Sequence, residues 1–134
     1  MQVCKVTRRA LIASALSLAS PAFAQAQETI DTSIIRLIVS PEKYQGQVVR
    51  LIGFLRLEFE GDAIYLHQDD YIHNITKNGL WVDRNDLVNN AGKLINDRYV
   101  LIEGTFDAHL TGHFGMWSGG IVDVRRITPS ETHP

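Results

Sequence analysis

The chain of 134 residues has one cysteine, Cys4. Beyond that position it can form no disulfide, offers no thiol nucleophile and cannot assemble a thiolate metal site. Cys4 also lacks the lipobox context of a lipoprotein. No long hydrophobic run is present: the most apolar stretch, Ala10–Ala19, is rich in Ser and Ala and about half the ~20 residues that cross a bilayer as a helix. A basic excess is missing too, with 13 Lys and Arg against 15 Asp and Glu. That balance argues against nucleic acid, whose affinity comes from Lys and Arg displacing phosphate counterions. There is no heptad run, homopolymer, repeat or internal linker, so coiled-coil, collagen-like and wholly disordered architectures are excluded. What is present, 45% apolar and 21% charged residues, fits one ordinary globular domain.

Residues 1–24 read as an export leader: Lys5, Arg8 and Arg9 form a positive front, Ala10–Ala19 an apolar stretch, and Ala22-Phe23-Ala24 a small-x-small cleavage site. Cleavage is expected after Ala24, giving a periplasmic or secreted protein that meets the membrane only during export. A retained anchor is the competing reading, and the short apolar run counts against it. Thr7-Arg8-Arg9-Ala10-Leu11-Ile12 also resembles a twin-arginine signal, so the general secretory and twin-arginine routes both stay open. The leader holds three basic residues and no acid, so the mature chain carries a net charge of about −5. Residues 25–30 read as a flexible lead-in, 31–127 as the domain and 128–134 as a tail ending near His133.

Asp31 or Thr32 caps a short helix with Ile34, Ile35, Leu37 and Ile38 on one side, and Ser40-Pro41 starts a second turn with Pro in the first helical position. From Gln47 the period becomes two, placing Val49, Leu51, Leu55, Leu57 and Phe59 on one face of a long first strand with Gly53 in its middle. Glu60-Gly61-Asp62 turns the chain into a second strand, Ala63–His67, with Ile64 and Leu66 inward and Tyr65 and His67 outward. A third strand, Gly79–Asp83, turns Leu80 and Val82 inward and Trp81 and Asp83 outward. Leu87, Val88, Ala91, Leu94 and Ile95 form a helical stripe within Asn85–Asn96. Arg98–Asp107 is a fourth strand, Ala108–Gly120 a glycine-loaded loop, and Ile121–Ile127 a fifth strand.

Three strands, a helix and two further strands, the first strand long and broken by glycine, resemble the OB-fold. Tyr44–Gly53, Tyr99–Gly104 and Gly120–Ile127 carry the likeness. It implies a mainly β protein: a five-stranded Greek-key barrel with a helix between strands three and four and an added N-terminal helical segment. That added segment is expected to pack on Ile52 and Phe54, which the alternation leaves outward. The whole is similar to small exported bacterial proteins that share this barrel. Such folds customarily bind on the outer face of strands two and three, bordered by the loops after strands one and four.

That placement gathers Tyr65, His67, Trp81 and Asp83 beside a loop bearing His109, His113, Phe114, Met116 and Trp117. Flat aromatic rings would stack on a sugar or a partner's side chain at small entropic cost. Phe114 and Trp117 read either as parts of an adaptable binding loop or as a plug for the barrel end. The expectation is a non-enzymatic module recognising a protein, peptide or glycan through Tyr65, His67, Trp81, Asp83, His109, His113, Phe114 and Trp117, without a cofactor. The alternative is a metal-binding protein or metal-dependent hydrolase using His67, His109 and His113. Asp69 and Asp70 with His67 and His73 contain acid–base chemistry in principle, but an Asp pair in a loop is more often a cap, and no catalytic residue is assigned. Arg125-Arg126 reads as solvated surface.

Overall fold

The computed structural model describes Gln2 and residues 25–130. The expected leader with Cys4 and its cleavage site, and His133 in the tail, lie outside the described residues. In chain order the elements are β1 (Ile30–Asp31), α1 (Ile34–Val39), α2 (Pro41–Tyr44), β2 (Val48–Arg56), β3 (Ala63–Tyr65), α3 (Gln68–Ile72), β4 (Gly79–Val82), α4 (Asp86–Ile95), β5 (Arg98–Asp107) and β6 (Gly120–Pro129), with 3-10 turns at Thr76–Asn78 and His113–Gly115.

Five strands close into a mixed barrel in the order β2-β3-β4-β6-β5, sealed by β2 pairing back onto β5, and β1 lies outside as a short parallel neighbour of β2. Closure leaves no free edge within the barrel itself. It depends on the length of β2, which pairs with β5 from Val48 to Leu55 and with β3 from Phe54 to Arg56. Gly53 sits directly before Phe54 and Leu55, where those pairings overlap. A Cβ there would lie 2.7 Å from the Tyr65 carbonyl oxygen and 2.9 Å from Ile34 Cδ1, so the close approach requires glycine. The mainly β class, the closed five-stranded barrel compatible with an OB-like fold, the helix between the third and fourth barrel strands and the added N-terminal helices are all as the order of elements implied.

One core fills the barrel. Val49, Leu51 and Leu55 of β2 meet Ile64, Leu80, Val82, Val100, Ile102, Phe106 and Ile121, while Val88 and Ile95 of α4 and Ile34 and Leu37 of α1 join the same cluster. Asn85 caps α4 by accepting from the Val88 N–H at 3.1 Å and anchors it by donating to the Val124 carbonyl at 2.6 Å. The buried stripe of α4 is narrower than the pattern predicted, because Leu87 and Leu94 face solvent.

Several expectations are corrected. The cap of α1 is Ser33 rather than Asp31 or Thr32, and its buried face is Ile34 and Leu37, with Ile35 exposed. The added helices do not cover Ile52 and Phe54: Ile52 is exposed, and Phe54 is buried beneath Tyr71 and Tyr99. Phe59 is not inward, because β2 ends at Arg56 and the alternation ends with it. β3 stops at Tyr65, so His67 is off the strand and stands at the start of α3. β6 runs to Pro129, and Ser130 N–H bonds the Tyr99 carbonyl, two residues and more into the segment read as tail. On the lead-in side, Thr29 accepts a hydrogen bond from Arg125.

Candidate functional site

The outer face of β3 and β4 carries Tyr65 and Trp81, whose neighbours Ile64, Leu80 and Val82 point into the core as alternation requires. That face is not bare. Trp117, from the loop between β5 and β6, lies on it with only 4% of its surface exposed. Its indole Nε1 donates to Tyr65 Oη at 3.2 Å, and its ring meets that of Trp81 edge-on at 5.0 Å. Tyr65 is 3% exposed, with Tyr71 of α3 tilted against it at 5.7 Å. Burial pushes the Tyr65 hydroxyl above its ordinary pKa, and the Trp117 hydrogen bond only partly opposes the shift. Tyr65 and Trp117 are therefore packing residues, a correction to their expected place on an open ligand face. Trp81 is half-buried between its strand and the loop.

Gly112 makes this cover possible. Its φ is +67°, and a Cβ there would meet Trp81 and stand 2.7 Å from Trp117 Cε3. Only a residue without a side chain fits between the two indoles in that conformation. The loop is also stitched to the chain before β4: Lys77 Nζ donates to the Gly115 carbonyl at 3.0 Å, and Ser118 Oγ donates to the Lys77 carbonyl at 2.7 Å.

Beyond Trp117 the same loop turns outward. Phe114 is 87% exposed and takes a left-handed φ of +53° inside the His113–Gly115 turn. Non-glycine residues rarely adopt that conformation, which costs on the order of 1 kcal/mol. Its ring stands edge-on to His113 at 4.1 Å, and His113 Nε2 lies 3.3 Å from Glu60 Oε2. Glu60, with φ +56°, occupies the tip of the turn between β2 and β3. Asp62 Oδ1 fixes that turn by accepting from the Glu58 N–H at 3.0 Å and from Arg84 at 2.8 Å. Next to Glu60 is Phe59, 90% exposed.

The loops after the first and fourth barrel strands thus meet at Glu60 and His113, and each presents a bare phenylalanine next to that contact in sequence, with Met116 also exposed. Of the expected residues, His113 and Phe114 belong to this rim, with Trp81 behind it. Phe59 and Glu60 were missed. The available signal was an aromatic directly before a Glu-Gly-Asp turn, where alternation no longer dictates direction.

The remaining candidates lie elsewhere. His67 precedes α3, and its N–H donates to Asp70 Oδ2 at 3.0 Å, while Asp70 Oδ1 accepts from Asn78 at 2.8 Å. Oδ2 of Asp70 therefore caps the start of α3, and Oδ1 ties that helix to the Thr76–Asn78 turn. Asp83 is exposed just past the end of β4. His109 borders a separate recess with Pro41, Glu42 and Gln45, on the α2 side. Among the described residues no three His, Cys, Asp or Glu are grouped so as to hold a metal ion, so the set His67, His109 and His113 does not form a centre. Arg125 is not loose surface: it donates to Glu103 Oε1 at 2.7 Å. Compared with models of protein families and with curated proteins, the sequence matches none.

Proposed function

We propose that this protein is an exported, non-enzymatic binding module that docks a protein or peptide through the rim of Phe59, Glu60, His113, Phe114 and Met116. The observation that carries the reading is the pair of phenylalanines, 90% and 87% exposed, on two loops that meet at Glu60 and His113. Apolar rings in water contribute nothing to folding, and a left-handed backbone beneath one of them adds cost. Burial of both against a partner would supply a compact aromatic anchor of the kind that dominates binding energy at interfaces. The rim projects rather than encloses, which favours a partner with its own apolar pocket over a small molecule, and a polypeptide over a glycan. Export rests on the leader pattern, and the mature chain would begin at Gln25.

The test compares the mature protein with a Phe59→Ser/Phe114→Ser double variant as baits in an extract of the periplasm. Species retained by the first and lost by the second, with equal melting temperatures, support the reading. An identical retained set overturns it. Amino-terminal sequencing of the protein recovered outside the cytoplasm tests the leader, with Gln25 expected as the first residue.

A further inference from the structure

A second concavity, of about 730 Å³, lies away from the rim, where the start of β5, the end of β6 and the start of α3 come together. It is a shallow groove, open to solvent along its length. Phe54 and Tyr99 contribute an aromatic base, their rings edge-on at 5.6 Å, and Gln68, Asp97, Arg98 and Ser130 contribute polar groups.

Several polar side chains of this groove are without a protein partner. Tyr99 Oη accepts from the Gln68 N–H at 3.3 Å, which leaves its own hydrogen free to donate. Among the described residues the Arg98 guanidinium enters no ion pair. The Gln68 amide and the Ser130 hydroxyl likewise have no side-chain partner there. The acidic group, Asp97, is engaged instead by Arg56 at 3.5 Å. The groove therefore offers hydroxyl and amide groups around one cation that enters no ion pair and has a planar, forked geometry.

We propose that this groove binds a carboxylate group, with Arg98 as the forked donor, Tyr99 and Ser130 as hydroxyl donors, and the ligand's carbon body over the aromatic base. The single guanidinium suits one negative charge in a planar group. A peptide C terminus and an acidic sugar share this chemistry. The site is independent of the rim, so either proposal stands if the other fails.

The experiment follows backbone amide resonances of the folded protein during titration with four probes: trialanine, trialanine amide, glucuronic acid and glucose. The Gln68, Arg98 and Ser130 amides are expected to shift with one or both acids and not with the amide or glucose. A response to trialanine alone assigns a peptide terminus, and a response to glucuronic acid alone assigns an acidic sugar. Arg98→Gln should weaken the responding acid by about ten- to a hundredfold while the remaining spectrum stays in place. Tyr99→Phe, which keeps the ring, should weaken it several-fold. Equal shifts from acid and neutral probe, no shift from either acid at about 20 mM, or unchanged affinity in Arg98→Gln would each overturn the assignment.

Discussion

Trp117 and Phe114 stand three positions apart in one loop and end in opposite surroundings, the first 4% and the second 87% exposed. The indole is covered by β3 and β4, has its N–H on Tyr65 and lies against Gly112. The phenyl ring touches His113 and otherwise water. One loop therefore does two jobs: its far half closes the sheet face that OB-like barrels leave for ligands, and its near half lifts a new apolar surface to the rim. The customary face has been filled by the protein's own aromatics, and the exposed chemistry has moved to the loop tips.

The sharpest way to break this contrast is to remove the covered ring. Trp117→Ala is expected to cost about 3–5 kcal/mol, because it leaves a large cavity and strips the buried Tyr65 hydroxyl of its partner. Urea titration of the mature domain measures it. A loss below about 1 kcal/mol would show that the loop is not part of the fold. Gly112→Ala attacks the same packing from the other side, placing a methyl group between the two indoles at a left-handed φ. About 2–4 kcal/mol is expected from overpacking and backbone strain together. A variant as stable as the parent would mean that the loop can lift off without cost.

How much of this the sequence disclosed follows from where the backbone obeys a short period. β5 is read with its observed ends, Arg98–Asp107, because Tyr99, Val100, Leu101, Ile102 and Phe106 give the segment the composition of a strand. Trp81 is correctly turned from the core because Leu80 and Val82 on either side are inward. Parity, however, reports only which side of a sheet a residue takes. It does not report whether something distant in sequence covers that side, and Trp117 lies 52 residues beyond its partner Tyr65. Phe59 fails for the complementary reason: alternation was carried three residues past the end of β2, into a turn governed by Asp62 and a left-handed Glu60. The rim depends on two turns meeting in space, and no local period encodes that.

Glu103 extends the contrast to charge. It is nearly buried on the outside of the barrel, bonded to Arg50 at 3.0 Å and to Arg125 at 2.7 Å, whereas Glu60 on the rim is open. Burial alone would raise the Glu103 pKa, but the hydrogen bonds and charges of Arg50 and Arg125 outweigh it and hold the carboxyl below its ordinary value of 4.5. A depressed folded-state pKa contributes stability that is present above the unfolded value and lost as pH falls through the folded one. Glu103→Gln is therefore expected to cost about 2 kcal/mol at neutral pH. The gap to the parent should narrow steadily below pH 4.5. A gap that stays constant down to the acid transition would show that the carboxylate is not the group being stabilised.

The smallest effects on stability should come from the bare rings, and that smallness separates them from Trp117. Phe114→Gly relieves a left-handed backbone worth about 1 kcal/mol, while the added freedom of glycine in the unfolded chain returns a similar amount. The net change should stay within about 0.5 kcal/mol. Phe59→Ser exchanges a ring already in water for a residue suited to turns, with an effect of the same size. Both are measured against the parent by the same urea titration. A loss above about 1 kcal/mol from either would mean that the ring packs against the protein in solution, and the difference between the two halves of the loop would then be one of degree. Near-neutral values leave these side chains without a role in holding the fold, so whatever they contribute to must lie outside the molecule.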